Sequence, residues 1–124
     1  MPSGRWLEME GPEYSGRRMG MVIAVKPDMV AEYKRLHADA WPEVLEMIRA
    51  CNIRNYTIFL REPENLLFSY WEYVGEDFEG DMARMAEHEP TQRWWSFTDP
   101  CQQPLQSSAT GEKWSGMEEV FHAD

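Results

Sequence analysis

Ile53-Arg-Asn-Tyr-Thr-Ile-Phe-Leu60 and Leu66-Leu-Phe-Ser-Tyr-Trp-Glu-Tyr-Val74 are the two segments that decide the fold of this 124-residue chain. The first segment alternates in polarity and is rich in residues that favour strands. The second is likewise rich in aromatic and other strand-forming residues. Arg61-Glu-Pro-Glu-Asn65, which separates them, is typical of a turn. Together they predict an antiparallel hairpin in the middle of the chain.

The segments on either side of this hairpin predict the remaining elements. Residues 19–25 form an apolar, β-branched run that predicts a buried strand, and residues 117–122 predict a final strand. Residues 99–115 show neither the period of a helix nor that of a strand, and they predict a long loop. Helices are predicted from an N-cap at Asp28 to about Leu36 or His37, from Pro42 to about Ala50, and over residues 78–87 and 91–98.

The resulting order, βαββαβ, predicts an α+β, ferredoxin-like fold in which helices cover one face of an antiparallel sheet. The other face is left without helices. The chain has six Trp, five Tyr and five Phe, and we expect so many large apolar side chains to be covered. A symmetric partner is the simplest cover, which predicts a homodimer of the dimeric α/β barrel type. The 99–115 loop is the alternative cover for part of this surface.

The overall charge indicates what kind of partner the protein takes. Its 22 acidic residues outnumber 12 basic ones, giving a net charge of −10. This balance argues against nucleic acid, whose phosphates need a cationic surface, and against anionic membranes. A small neutral molecule is the easier partner. Cys51 and Cys101 lack the spacing of a zinc site, so we expect two reduced thiols.

Residues 1–18 contain Gly, Pro, Arg and Glu without the apolar core of a signal peptide. We expect a flexible N-terminal extension, followed by a single domain over residues 19–124. No run approaches the ~20 apolar residues of a membrane span. These features predict a cytoplasmic protein.

His37 is the titratable residue most easily placed in a pocket. It shares the inward face of the first helix with Tyr33, and Pro42 ends or kinks the helix just after it. The helix dipole would favour the protonated imidazole by up to ~1–2 kcal/mol, which suits a proton donor. A hydrogen-bonded core histidine is the alternative. His88 is most simply solvated, and His122 is an edge residue or part of a pocket wall.

Three aromatic residues are further candidates for ligand contact. Trp94 and Trp95 are adjacent on a helix and point about 100° apart, so that one fills the core while the other lines a cleft. Tyr56 shares a strand face with Ile58 and Leu60, and either a satisfied buried tyrosine or a ligand contact fits it. The chain contains no nucleophile elbow, phosphate loop or dinucleotide fingerprint. The function that remains is acid/base catalysis on a small neutral molecule, without a metal or cofactor.

The chain resembles the L-rhamnose mutarotase family over residues 19–122. Each matching motif is weak alone, but their order and spacing together are specific. In chain order they are Lys26-Pro-Asp28, Glu32-Tyr33, His37 with Trp41-Pro-Glu43, Asn55-Tyr-Thr-Ile-Phe-Leu60, Asn65-Leu-Leu-Phe68, Gln92-Arg-Trp-Trp95 and Met117-Glu-Glu-Val-Phe121. The resemblance implies a small dimeric ferredoxin-like enzyme that interconverts the α and β anomers of L-rhamnose, a neutral 6-deoxyhexose, without metal or cofactor.

The same resemblance implies roles for individual residues. His37 occupies the position of the proton donor, and Tyr33, Tyr56, Trp94 and Trp95 match positions that hold or frame the sugar. The base stays open between a tyrosine hydroxyl, a bound water and His37 itself after donation. Two other functions also stay open, a cofactor-free monooxygenase of the same fold and a sugar-binding dimer without catalysis.

Overall fold

The computed structural model describes residues 17–124, which form an antiparallel sheet and four α-helices. The elements are β1 (Arg17–Val25), α1 (Val30–Ala38), α2 (Pro42–Ala50), β2 (Ile53–Arg61), β3 (Leu66–Tyr73), α3 (Phe78–Glu87), α4 (Glu89–Thr98), β4 (Gln102–Gln103) and β5 (Ser115–Met117). Short 3-10 turns lie at Pro27–Met29 and Asp99–Cys101. The prediction for residues 1–16 lies outside the described residues, whereas Arg17 and Arg18 already belong to β1.

The sheet has the predicted ferredoxin-like order. β3 lies between β2 and β1, and the two short strands β4 and β5 share the other edge of β1. Every pairing is antiparallel. Alternate residues of β1 and β3 are buried, as expected for a sheet whose one face packs against helices. The central hairpin and the α+β class are therefore confirmed.

The end of the chain differs from the prediction. The final strand covers only Ser115–Met117, and residues 118–124 have no regular secondary structure. The ladder ends at Glu118 and Glu119, because acidic side chains are poor strand formers and Glu119 instead accepts a hydrogen bond from Arg18 Nε at 2.9 Å. Val120 and Phe121 are 87% and 81% exposed, since no strand within residues 17–124 covers them.

Three local predictions also differ from the structure. Asp28 does not cap α1, because it lies within the 3-10 turn Pro27–Met29, and Met29 holds the cap position without a side-chain hydrogen bond. The segment expected to be a loop over 99–115 contains a 3-10 turn, β4 and the start of β5. Helix α4 begins at Glu89, two residues before the predicted start.

A β-bulge in β2 changes which side chains of that strand face the helices. Arg54 pairs with Glu72 and Thr57 with Tyr70, so Asn55 and Tyr56 both lie opposite the single residue between those partners. The extra residue shifts the alternation of the strand by one position. Side chains at odd positions before the bulge and at even positions after it therefore share one face of the sheet.

Two hydrophobic clusters fill the space between that face and the helices. One includes Ile23, Leu36 and Trp94, with Ile58 packed against it. The other includes Ile53 and Trp71. β2 supplies residues to both clusters, which is possible only because the bulge lies between Ile53 and Ile58.

Buried Asp81 attaches α3 to the sheet. Its carboxylate accepts hydrogen bonds from Tyr73 Oη, from Asn52 Nδ2 at 2.9 Å and from Arg84 Nη2 at 2.7 Å. Burial alone would raise the pKa of Asp81, but these hydrogen bonds lower it overall. The carboxylate is thus ionised at neutral pH and holds the start of β2, the end of β3 and α3 together.

Candidate active site

A cavity with two adjoining compartments lies between the sheet and the four helices. The first compartment has a volume of about 420 Å³ and is mostly apolar, with Val30, Leu45 and Leu60 among its lining residues. The second has a volume of about 150 Å³ and adds polar side chains from the 99–115 segment. A cavity lined by apolar walls with few polar groups is the usual form of a small-molecule site.

All five residues singled out from the sequence line this cavity. Tyr33, His37, Tyr56 and Trp94 line both compartments, and Trp95 lines the second. The His37 ring lies 4.2 Å from that of Tyr33 and 5.2 Å from that of Trp94 between ring centroids, the latter edge-on. Helix α1, strand β2 and helix α4 thus bring together residues that are far apart in sequence.

The hydrogen bond of His37 fixes how its two ring nitrogens are used. Nδ1 lies 2.9 Å from the carbonyl oxygen of Tyr33, one turn earlier in α1. A carbonyl oxygen only accepts, so Nδ1 carries the proton. Nε2 is then the nitrogen left for a ligand, and in the neutral ring it carries the lone pair.

Burial lowers the pKa of His37, and the hydrogen bond to the Tyr33 carbonyl offsets this only in part. This direction is opposite to the one expected from the helix dipole. The ring is partly removed from water, and burying the charged imidazolium costs more free energy than the helix dipole returns. His37 is therefore neutral at neutral pH.

The two tyrosines of the site keep their protons. Burial raises the pKa of Tyr33 far above its usual value, and nearby Tyr56 raises it further. Burial of the hydroxyl also raises the pKa of Tyr56 to about 12, although 43% of the residue's surface is exposed. At neutral pH both hydroxyls can donate hydrogen bonds to a ligand, and neither is a phenolate base.

Comparison with known proteins identifies the family. The model of the L-rhamnose mutarotase family matches residues 18–123. The chain belongs to the L-rhamnose mutarotase family. The L-rhamnose mutarotase of Oceanobacillus iheyensis is 33% identical over 108 residues, which cover 87% of this chain and 99% of the relative. That of Yersinia pestis is 42% identical over 78 residues, covering 63% and 72% of the two chains.

Solved structures agree on the fold of this family member. The crystal structure of an L-rhamnose mutarotase from Formosa agariphila superposes with a TM-score of 0.68 at 24% identity, covering 87% of this chain and 99% of that one. Tetracenomycin F2 cyclase from Streptomyces glaucescens, a polyketide cyclase, superposes at 0.60 with 13% identity over 87% of this chain and 99% of that one. At these identities the likeness concerns the fold alone.

Sequence reasoning missed Gln102, which belongs to the site of this mutarotase-family chain. Its Nε2 donates a hydrogen bond to Tyr33 Oη at 3.2 Å, and pairing of β4 with Val25 holds it beside α1. Because Oη accepts from Gln102, the hydroxyl proton of Tyr33 is free to point at a ligand. No local pattern marks Gln102, since it lies in the segment predicted as loop.

The same segment supplies three further cavity residues that were missed. Asp99, Lys113 and Trp114 line the second compartment, and Lys113 Nζ lies 2.5 Å from Asp99 Oδ2. This ion pair joins the two ends of the 100–112 connection at the edge of the cavity. This compartment therefore combines carboxylate, ammonium and amide groups, whereas the walls of the first compartment are mostly apolar.

The other two histidines lie outside the cavity. His88 Nδ1 lies 2.9 Å from Thr91 Oγ1 at the start of α4, and His122 contacts Asp124 near the chain end. Within the described residues 17–124, no three His, Cys, Asp or Glu side chains form a group that could hold a metal ion. In that same range no helix is long and apolar enough to cross a membrane.

Replacement of Gln102 by glutamate tests the proposed orientation of the Tyr33 hydroxyl. The carboxylate of Gln102→Glu accepts a hydrogen bond where the amide donated one, so the Tyr33 proton turns away from the cavity. We expect kcat/KM for anomer exchange to fall about tenfold, equivalent to about 1.4 kcal/mol. Saturation-transfer NMR between the two anomeric protons of L-rhamnose measures this rate.

The matched control is Gln103→Glu, which adds the same charge at the next, exposed residue. It should leave the exchange rate within twofold of the native value. Equal losses in the two variants, or no loss in Gln102→Glu, would contradict the orientation.

Proposed function

We propose that this L-rhamnose mutarotase opens and recloses the pyranose ring by proton transfer through His37 and a neighbouring tyrosine. Family membership makes the protein an isomerase that interconverts the α and β anomers of L-rhamnose. The observation that carries the proposed mechanism is the placement of His37, which lines the cavity with Tyr33 and Tyr56 while its Nδ1 is engaged by a backbone carbonyl.

Ring opening requires two proton transfers that occur together. Neutral His37 accepts the proton of the anomeric hydroxyl at Nε2, while a tyrosine hydroxyl, from Tyr33 or Tyr56, protonates the ring oxygen. The C1–O5 bond breaks and the open-chain aldehyde forms. Rotation about the C1–C2 bond presents the other face of the aldehyde. The reverse transfers then close the ring and restore both side chains.

This order of events differs from the role expected from the sequence alone. The family position of His37 implies a proton donor, and in the proposed cycle it donates only during ring closure. The lowered pKa supports a neutral base at the start, because an imidazolium would be a minor species at neutral pH. The raised pKa values of Tyr33 and Tyr56 support tyrosine as the initial acid.

The walls of the cavity suit a neutral 6-deoxyhexose. Trp94 and Trp95 offer aromatic surface to the apolar face of the sugar ring, and we assign them, with Tyr33 and Tyr56, as its binding residues. The apolar first compartment accommodates the C6 methyl group. The polar groups of the second compartment, Gln102 among them, suit the ring hydroxyls.

The pH dependence of exchange tests the role of His37. If the neutral ring is the initial base, kcat/KM rises with pH through a midpoint below the usual histidine pKa of 6.5 and then stays level. His37→Ala should lower exchange by about 10²- to 10⁴-fold and remove this acid limb. The assay is again saturation transfer between the anomeric protons.

His122→Ala serves as the control, since that histidine does not line the cavity and its Nε2 contacts Asp124 near the chain end. A rate that falls as the pH rises above 6.5 would show that the imidazolium is the active form and contradict the mechanism. L-Rhamnose binding without any acceleration of exchange by the native protein would instead make it a sugar-binding protein.

We further propose that the protein works as a homodimer in the cytoplasm. The helix-free face of the sheet carries Phe59 on β2, which is 61% exposed. Phe59 pairs with Phe68 on β3, and Phe68 pairs with Val22 on β1. A continuous apolar surface of this kind suits a symmetric interface. The two buried free thiols, Cys51 and Cys101, agree with a reducing compartment such as the cytoplasm. Cell fractionation would check this localisation.

A charge placed on this face should prevent association. Phe59→Glu would bury a carboxylate without a partner at the proposed interface, at a cost of several kcal/mol. Analytical ultracentrifugation should find twice the chain mass for the native protein and the chain mass for the variant. Leu45→Glu, an exposed apolar residue on α2, is the control and should leave the dimer intact. A monomeric native protein would contradict the proposal.

A further inference from the structure

The bulge in β2 decides on which face of the sheet Tyr56 lies. Regular alternation from Ile53, which is buried beneath the helices, would place Tyr56 on the opposite, helix-free face. With Asn55 and Tyr56 sharing one position opposite Trp71, Tyr56 instead joins the helix-covered face and reaches the cavity. Its ring centroid lies 6.4 Å from that of Trp71.

Asn55 adopts the backbone conformation on which this bulge depends. Its φ is +56°, in the left-handed region that asparagine tolerates better than other residues with a side chain, apart from aspartate. Its Nδ2 donates to Glu72 Oε1 on the neighbouring strand at 3.0 Å, and its carbonyl oxygen accepts from Thr57 Oγ1 at 3.0 Å. Glu72 is itself fixed by Tyr70 Oη at 2.6 Å.

We infer that Asn55 is a positioning residue for the mutarotase reaction: its left-handed bulge aims the Tyr56 hydroxyl at the sugar. Asn55 lines neither compartment and so acts through Tyr56 without touching the substrate. This inference rests on the proposed role of Tyr56. It also accounts for the adjacency of the two residues, because Tyr56 is the first residue after the left-handed position and the shifted alternation begins with it.

Two substitutions at position 55 and one elsewhere separate positioning from general stability. Asn55→Ala disfavours the left-handed conformation and removes the bond to Glu72, whereas Asn55→Gly keeps the conformation accessible. Asn65→Ala is the matched control. Asn65 also has a positive φ, +59°, but it lies in the β2–β3 turn away from the cavity.

We expect Asn55→Ala to raise the KM for L-rhamnose and to lower kcat/KM by about tenfold or more, since small misplacements of a positioned group reduce rates strongly. Asn55→Gly should stay within a few-fold of native kinetics. Asn65→Ala should lower the melting temperature about as much as Asn55→Ala, on the order of 5 °C, with native kinetics.

An NMR measurement without substrate reports on the bulge independently of activity. Nuclear Overhauser contacts between the Tyr56 and Trp71 rings should persist in Asn55→Gly and Asn65→Ala and disappear in Asn55→Ala. Native kinetics or retained ring contacts in Asn55→Ala would overturn the inference, as would equal kinetic losses in Asn65→Ala. A native protein without exchange activity would refute the proposed function, while the ring contacts would still test the bulge.

Discussion

The two-residue period of β2 is the constraint on which the rest of the structure depends. This strand must supply Ile53 to the cluster around Trp71 and Ile58 to the cluster around Trp94. Side chains five residues apart point to opposite faces of a regular strand, so one extra residue has to be inserted between them. The bulge at Asn55 meets that requirement. The cavity lies where the two clusters meet, and Tyr56 lies at that junction.

Burial acts on the groups of this cavity in a consistent direction. It lowers the pKa of His37 and raises those of Tyr33 and Tyr56, so that all three are neutral at neutral pH. A neutral imidazole beside neutral tyrosine hydroxyls suits a substrate without charge and the proposed reaction, which moves protons without net charge transfer. Gln102 orients the Tyr33 hydroxyl, because its amide donates to Oη and leaves the hydroxyl proton available to a ligand.

Local patterns in the sequence were enough to predict the central hairpin and the four helices. The five aromatic and histidine residues singled out from the sequence all line the cavity. Features that depend on long-range contacts were missed. The position of Gln102 depends on pairing with β1, and the protonation of His37 depends on how deeply the fold buries it. Strand propensity at Val120 and Phe121 predicted a strand that residues 118–124 do not form.

The proposed chemistry depends on a neutral imidazole at His37, with its proton on Nδ1 and its lone pair on Nε2. Nitrogen-15 NMR of the histidine side chains, recorded across the titration, measures both the tautomer and the pKa. We predict an Nδ1–H tautomer at neutral pH and a pKa of His37 below 6.5. A ring protonated at both nitrogens at neutral pH, or a neutral ring with its proton on Nε2, would contradict it.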